Sequence, residues 1–341
     1  MRRVDLCAVA CFCLTACSGR IVDLDHTPST TAVWHAPAEV SQQGFTSVWV
    51  DQRRLYWLTG LSSIQSCLKA DCVHTPLIYS PNHEPVTDVI AAIAGNHVYW
   101  TSMGPTIFSC TTDDCQAGPV PITQDPGLSG PLFANGDYVY WSSDFDIYRC
   151  RASGCAGPPE VFVTSAFAKA MVFDETRAYW TDTVRIMRAP LYPEAAQIAV
   201  EPPTTVFEPS SGDTAISSLA LGGGNLYWSA HGQIFRCPAA GCGAFRTTIL
   251  STKNELITNI KLERSTLYWV EGEQIRSCAL PYCSQPIVIT PPKVASVEYL
   301  RESARFAVDA DDVYWLEARA SADASPISPA LAGQAIRRSA R

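Results

Sequence analysis

Cysteines are the residues whose spacing most directly suggests chemistry. Four of the 14 lie in the first 17 residues, and the other ten form five pairs with four residues between the two members of each pair. The pairs are Cys67/Cys72, Cys110/Cys115, Cys150/Cys155, Cys237/Cys242 and Cys278/Cys283. Regular, even-numbered cysteines are typical of disulfides in an exported protein. A zinc site would bring two pairs together, whereas each pair here belongs to its own repeat. The sequence therefore predicts five disulfides, no metal site and no cofactor.

A second set of candidate residues is mainly acidic and recurs at one place in a repeated pattern, shortly after an aromatic dipeptide. Its members are Asp144, Asp146, Asp182, His231, Glu271 and Glu273. Carboxylates arranged around a channel would favour a cation or a basic partner. If they converged with a histidine, they would also allow acid–base catalysis. The alternative is that they are solvated turn residues, since turns favour polar side chains. We therefore treat them as a candidate binding face and assign no catalytic residue.

The aromatic dipeptide itself, Tyr-Trp, is the strongest repeat in the chain. It occurs at Tyr56-Trp57, Tyr99-Trp100, Tyr140-Trp141, Tyr179-Trp180, Tyr227-Trp228, Tyr268-Trp269 and Tyr314-Trp315. Exposed tryptophans would offer stacking platforms for sugars. Large flat side chains at equivalent places in every repeat are better explained as a structural layer between repeats. We expect the tryptophans to be buried.

The elements around each dipeptide have the pattern of a small antiparallel sheet. A short apolar strand precedes a turn rich in Gly, Asn and Asp, and the next strand carries Tyr-Trp. A third strand carries an isoleucine and, three residues later, the first cysteine of a pair. The second cysteine is expected to open the fourth strand. Four such strands in about 42 residues are typical of a β-propeller blade.

The two ends of the chain indicate how the ring closes. The last repeat supplies strands at residues 306–308 and 313–316 and a third strand containing Ile336 and Ser339, but no fourth strand. Residues 31–34 form an apolar strand that precedes the first repeat. If this strand completes the last blade, the fold is an all-β, seven-bladed propeller of four-stranded antiparallel blades, closed by an N-terminal strand. The alternative is six blades with one repeat outside the ring.

The N-terminus has the pattern of an export signal. Arg2 and Arg3 precede an apolar stretch at residues 6–15, which is too short to span a bilayer. The following Leu-Thr-Ala-Cys tetrad resembles the bacterial lipoprotein signal. That resemblance implies a signal peptide at 1–16, lipidation of Cys17 and a lipidated tether at 17–30, which leaves residues 31–341 for the propeller that the repeats predict. The alternative is an ordinary secretory signal with a coincidental cysteine.

The repeat also resembles a known family. The segment Tyr179-Trp180-Thr181-Asp182, followed by Ile186 and Arg188, is similar to the YWTD propeller repeats of the low-density lipoprotein receptor family. That resemblance implies a propeller, and in the family such propellers bind protein ligands on one face. This chain departs from the family in its number of repeats and in its added cysteine pairs.

Composition and charge limit the classes of function that the chain could have. The formal net charge is −8 and only 17% of the residues are charged, so the chain lacks the clustered basic residues that nucleic acid requires. We expect a monomeric, lipid-anchored binding module of the bacterial cell envelope, at the periplasmic or outer-membrane surface, for a protein or glycan partner. Two alternatives remain. One is a propeller lyase or hydrolase with its site in the central channel, and the other is a structural envelope protein.

Overall fold

The chain folds into seven four-stranded antiparallel sheets that are arranged as the blades of a propeller. The computed structural model describes residues 30–340 except 36–44, 60–62, 75–76, 80–90, 102–105, 126, 156, 192–201, 210–214, 243–245, 253–255, 273, 291–305 and 321–330. The described residues form strands and turns only. None of them belongs to a helix with the length and apolarity needed to cross a bilayer. Cys17 and the predicted signal lie outside the described residues.

The strands of blades 1 to 4 follow the order of the chain. They are β2 (Phe45–Val50), β3 (Arg54–Thr59), β4 (Ser63–Leu68) and β5 (Leu77–Ile78) in blade 1; β6 (Ala91–Ala94), β7 (His97–Thr101), β8 (Thr106–Thr111) and β9 (Val120–Gln124) in blade 2; β10 (Leu128–Ala134), β11 (Tyr138–Ser143), β12 (Asp146–Arg151) and β13 (Glu160–Val163) in blade 3; and β14 (Ala170–Phe173), β15 (Arg177–Thr181), β16 (Ile186–Pro190) and β17 (Thr204–Phe207) in blade 4.

The remaining strands complete the ring. They are β18 (Ser218–Gly222), β19 (Asn225–Ala230), β20 (Gln233–Pro238) and β21 (Thr247–Ser251) in blade 5; β22 (Ile257–Glu263), β23 (Thr266–Glu271), β24 (Gln274–Ala279) and β25 (Ile287–Val288) in blade 6; and β26 (Phe306–Val308), β27 (Asp312–Ala320), β28 (Leu331–Ala340) and β1 (Thr30–His35) in blade 7.

The N-terminal strand closes the last blade, as the sequence predicts. β1 pairs with β28, with Thr30 opposite Ser339 and Trp34 opposite Ile336. Ser339 in turn lies opposite Val313, the residue before Tyr314-Trp315. In blade 1 the first cysteine, Cys67, likewise lies opposite the residue before Tyr-Trp, so Ser339 occupies the position of that cysteine. Blade 7 thus takes one strand from the N-terminus and three from the C-terminus, and seven blades are confirmed over six.

The two aromatic residues of each dipeptide contact different neighbouring blades. Neighbouring residues on a strand point to opposite faces of the sheet, so Tyr faces one adjacent blade and Trp faces the other. Tyr56 of blade 1 packs in one cluster with Trp100 of blade 2. The ring closes in the same way where Tyr314 of blade 7 packs with Trp57 of blade 1. All seven tryptophans are at most 8% exposed, which confirms that they form a structural layer.

Many of these tyrosines are also fixed at their hydroxyl. In blade 4 the Tyr179 hydroxyl donates to Asp174 Oδ2 at 2.8 Å, and Asp174 Oδ1 accepts the backbone N–H groups of Thr176 and Arg177. One carboxylate therefore caps the turn and anchors the aromatic ring. The same arrangement occurs at Asp51 and Asp309, whereas Gly222 stands at this position in blade 5.

The five disulfides join the predicted partners, but the second cysteine of each pair lies in a different place from the one that the sequence predicts. The Cα atoms of the pairs are 4.8 to 5.3 Å apart, within the ordinary range for a disulfide. The first cysteine lies near the end of the third strand, as expected. The second was expected to open the fourth strand, and this prediction is wrong in all five blades. It lies in the preceding connection, four residues before the fourth strand in blade 6 and five residues before it in the other four blades. The residues to which this correction applies are Cys72, Cys115, Cys155, Cys242 and Cys283.

Neighbouring blades explain this position of the second cysteine. Cys237 and Cys242 of blade 5 are buried in a cluster with Tyr179 and Val206 of blade 4. The Cys242 backbone N–H also donates to the Val206 carbonyl oxygen at 3.0 Å. The bridge therefore closes a turn that packs on the preceding blade. In blade 4, which has no cysteine pair, Ala189 and Leu191 occupy the same kind of interface.

The other four bridges pack on the preceding blade in the same way. In each case the second cysteine shares a cluster with the dipeptide tyrosine of that blade. The pairs are Cys72 with Tyr314, Cys115 with Tyr56, Cys155 with Tyr99 and Cys283 with Tyr227. A cysteine that had to reach this interface could not also lie at the start of the outermost strand, which is why the prediction failed.

Candidate binding face and central channel

The propeller has two faces, which the strand order distinguishes. The face that carries the turns between second and third strands, together with the connections between blades, is called the upper face. The lower face carries the turns between first and second strands and between third and fourth strands. The five described residues of the candidate binding face lie on the upper face, either within a turn between second and third strands or at the strand end beside it.

Asp144 and Asp146 flank a tightly held turn between β11 and β12 in blade 3. Asp144 adopts a left-handed backbone conformation with a φ of 52°, and its N–H donates to the Gly127 carbonyl oxygen at 3.1 Å. Asp146 Oδ1 accepts the Ser165 N–H at 2.8 Å. Partial desolvation, together with the negative charges of Asp146, Asp125 and Asp144, raises the pKa of the nearby Tyr148 hydroxyl. The turn is therefore rigid and carries a negative potential.

Asp182 belongs to the equivalent turn of blade 4, where it pairs with its own neighbours. Its carboxylate accepts the Val184 and Arg185 N–H groups and pairs with the Arg185 guanidinium. Burial by itself would raise the pKa of Asp182, but these hydrogen bonds and the cation hold it below its ordinary value. Asp182 is thus occupied in shaping its turn.

The remaining candidates lie in blades 5 and 6. His231 is exposed and has a left-handed φ of 53° in the turn between β19 and β20. Glu271 is largely buried, accepts the Trp269 indole N–H at 3.0 Å and lies 3.5 Å from the Arg276 Nε. Glu273 lies outside the described residues. The five described candidates are thus distributed over four blades.

The upper face also presents an aromatic residue that the sequence analysis missed. Phe145, at the tip of the blade 3 turn, is 82% exposed. Its carbonyl oxygen accepts the Ala166 N–H at 2.7 Å, so the backbone that carries the ring is fixed to the connection between blades 3 and 4. Only the flanking carboxylates marked this turn in the sequence, because a turn phenylalanine alone does not reveal its exposure.

A channel of about 1270 Å³ runs between the innermost strands of the blades. Its wall combines apolar side chains such as Trp49, Phe133 and Leu219 with polar groups in comparable share. Its charged lining residues are Asp137, Lys169, Asp174, Glu175 and Lys261. None of the five described candidates of the binding face lines the channel. Within the described part of the chain, no group of three or more His, Cys, Asp or Glu residues is arranged to hold a metal ion.

Solved structures with the same architecture are similar to this chain at low sequence identity. YCF48 bound to a D1 peptide is 12% identical, with 93% of this chain and 96% of that chain covered and a TM-score of 0.59. The computationally designed Ika8 protein is 9% identical, with 91% and 98% covered and a TM-score of 0.53. A chain of a nidogen/laminin complex is 14% identical, with 70% and 93% covered and a TM-score of 0.49. The first two matches support the propeller fold alone.

Sequence comparison adds no family assignment. No protein-family model matches the chain. No curated protein matches it either.

Proposed function

We propose that this protein is a lipid-anchored propeller of the bacterial cell envelope that binds a protein partner through its upper face. The observation that carries the proposal is the exposed Phe145 ring on a turn that is held by two backbone hydrogen bonds and by one from the Ser165 N–H to the Asp146 carboxylate. Because the backbone of this turn is held before binding, little of its freedom has to be lost, and aromatic side chains are frequent energetic centres of protein interfaces. The propeller fold, which is well suited to displaying turns on a rigid ring, is consistent with an interaction module.

The charge around Phe145 indicates the chemistry of the partner. Asp144 and Asp146 flank Phe145 in the sequence, and together with Asp125 they contribute a negative potential at the nearby Tyr148. A partner with a hydrophobic pocket surrounded by Lys or Arg would complement this surface, because opposite potentials guide association and suppress wrong partners. A glycan partner is less favoured, since the tryptophans that would stack on sugars are buried.

The channel-centred enzyme of the sequence analysis receives less support. A hydrolytic or lyase site needs its acid–base groups within hydrogen-bond reach of one substrate. The described candidates lie in or beside turns of four different blades, and Asp182 and Glu271 are engaged by residues of their own blades. The proposal of a binding module therefore takes precedence over that of an enzyme.

The proposal can be tested by affinity capture with matched surface variants. The lipid-free mature protein, Phe145→Ser and Tyr282→Ser would each be incubated with envelope extract of the source bacterium, and the retained proteins would be identified by mass spectrometry. Tyr282 is the matched control, because it is also 82% exposed but belongs to a turn of the lower face. We expect a retained protein with the wild type and with Tyr282→Ser, and its loss with Phe145→Ser.

Other outcomes would count against parts of the proposal. Retention that survives Phe145→Ser but not Tyr282→Ser would move the interface to the lower face. A retained glycan in place of a protein would overturn the partner class. If the wild type retains nothing that a blank resin does not, the binding-module function itself is wrong.

A further inference from the structure

One channel residue breaks the pattern that the other blades share. In every blade the tyrosine of the dipeptide lies opposite a residue of the innermost strand, seven positions earlier in the chain. These opposite residues are Trp49, Ala92, Phe133, Val172, Ala220, Lys261 and Ala307. Six of the seven are apolar, and blade 6 alone has a charged residue, Lys261. A lysine at a position that packing fills with apolar side chains in the other blades calls for a reason other than packing.

The surroundings of Lys261 are apolar on the protein side and open on the channel side. Its Nζ lies 5.7 Å from the centroid of the Phe306 ring, and Phe306 of blade 7 is fully buried. Lys261 is also one of the residues that line the channel. Desolvation by the surrounding protein lowers the pKa of the Lys261 ammonium to about 8, so the amine still carries its charge for most molecules at neutral pH.

Lys261 differs from the other buried cations in having no anionic partner. Lys69 Nζ pairs with Asp309 Oδ2 at 2.7 Å, and the Arg149 guanidinium pairs with Glu160 at 2.7 Å. Among the residues that the structure describes, no carboxylate lies within ion-pair distance of Lys261 Nζ. A cation that has lost part of its hydration and has no counter-charge is destabilised. An external anion in the channel would supply the missing charge.

The charges at the two mouths of the channel indicate the route of entry. Asp137, Asp174 and Glu175 belong to turns of the lower face, and their negative charges oppose an anion that approaches from below. Lys169 precedes β14 and lies at the upper mouth, where it attracts an anion. The charges that line the channel therefore favour entry of an anion at the upper mouth; Asp144 and Asp146 are on the same face but do not line the channel.

We propose that the central channel is a binding site for a monocarboxylate on an apolar body, with the carboxylate paired to Lys261. A single ammonium matches a single negative charge, whereas a doubly charged phosphate would leave one charge unpaired near the Phe306 ring. The apolar body would contact wall residues such as Phe133 and Leu219. The carboxylate belongs to a free organic acid or to the C-terminus of a peptide, and these two sources share the same chemistry. This site goes beyond the Phe145 surface and does not depend on it.

Binding of hexanoate, measured by isothermal titration calorimetry, tests the proposal, with hexanamide as the neutral probe of equal shape. The decisive variant is Lys261→Met, which should fold because the other six blades have an apolar residue at this position. Lys169→Met is the control for a channel lysine outside the proposed ion pair. We expect hexanoate to bind the wild type at least about ten-fold more tightly than it binds Lys261→Met, as for a hydrogen bond to a charged group. Lys169→Met should change this affinity much less.

A second measurement follows Lys261 directly. The chain has five lysines in all, so a protein labelled with ¹³C at the lysine Cε gives few signals, and Lys261→Met assigns the relevant one. We expect this signal to titrate below the ordinary range of a lysine, because burial lowers the pKa of Lys261 to about 8. It should move to higher pH when hexanoate binds, because a bound anion favours the ammonium form.

Several outcomes of these binding measurements would contradict the proposed carboxylate site. Equal binding of hexanoate to the wild type and Lys261→Met, or no binding to the wild type, would overturn the proposal. Tighter binding of inorganic phosphate than of hexanoate would overturn the monocarboxylate class. A short apolar peptide with a free C-terminus, compared with its amidated form, distinguishes a peptide source from a free acid. None of these results alters the capture by the Phe145 surface, so the two proposals fail separately.

Discussion

The hydrogen bond between Tyr179 and Asp174 allows one contribution to stability to be isolated. In Tyr179→Phe the ring still fills the interface between blades 4 and 5, but the hydroxyl that donates to Asp174 Oδ2 at 2.8 Å is removed. Hydrogen bonds to charged groups contribute about 1.5–3 kcal/mol. The substitution should therefore lower the free energy of unfolding by about 1.5–2 kcal/mol, since Asp174 keeps its backbone donors.

Tyr227→Phe is the matched control for this prediction. Tyr227 has the same place in blade 5 and is similarly buried, but Gly222 replaces the carboxylate five residues earlier. This second substitution should change the free energy of unfolding by less than about 0.5 kcal/mol. Urea denaturation of the oxidised protein, followed by tryptophan fluorescence, measures both values. Equal losses in the two variants would refute the assignment of the energy to the Asp174 hydrogen bond.

The pH dependence gives an independent check on the same bond. Burial alone would raise the pKa of Asp174, but the Thr176, Tyr179 and Arg177 donors hold it below its ordinary value. A carboxyl with a lowered pKa in the folded state contributes stability that is fully present above its unfolded pKa of about 3.9. That stability is lost as the pH falls through the folded pKa. The difference between Tyr179→Phe and the wild type should therefore narrow as the solution is acidified through this range.

Three further predictions concern the anchor, the disulfides and the closure of the ring. Cys17→Ala should move the protein from the membrane fraction to the soluble fraction, because the lipid anchor is lost; cell fractionation and immunoblotting measure this. Reduction of the disulfides should lower the melting temperature, with a loss of about 2 kcal/mol for each bond, while the buried Tyr-Trp interfaces keep the ring intact in small-angle scattering. Deletion of residues 30–35 should expose the edge of β28 and cause self-association, which size-exclusion chromatography detects.

Each of these predictions has a control or a contrary result. Membrane retention of Cys17→Ala would count against the lipid anchor. Free thiols at the ten paired cysteines without a reductant would contradict the disulfide arrangement. For the deletion, a variant that lacks only residues 18–29 should stay monomeric. A monomeric protein with an unchanged melting temperature after loss of residues 30–35 would show that β1 is not needed to close the ring.

The architecture could be predicted from the sequence because the spacing of residues within each repeat indicates which residues pair across its strands. The residue before Tyr-Trp lies opposite the first cysteine, as Leu55 does opposite Cys67, so the sequence offsets translate directly into strand pairing. The position of the second cysteine was predicted incorrectly, because it depends on contact with the preceding blade, which no offset within one repeat records. The exposure of Phe145 depends in the same way on neighbours that are distant in sequence.

Lys261 could have been found from the sequence alone. Its signal is an alignment of the seven repeats on their tyrosines, which places one lysine among six apolar residues. The candidate binding face came from the turns, where acidic residues are concentrated. Lys261 lies on an innermost strand, which that search for acidic turn residues did not compare between repeats. The absence of a carboxylate partner among the described residues could not have been predicted, because ion pairs between blades join residues as far apart as Lys69 and Asp309.

The pairing of β1 with β28 sets the order in which a newly made chain can reach its final form. The strand at the start of the propeller finds its partner only after nearly the whole chain has been synthesised, so circular closure is a late event that must overcome a large loop entropy. Each disulfide, in contrast, joins residues only five apart in sequence, so it can form as soon as its own segment emerges. The molecule is thus suited to assemble from locally cross-linked units that are joined into a circle at the end.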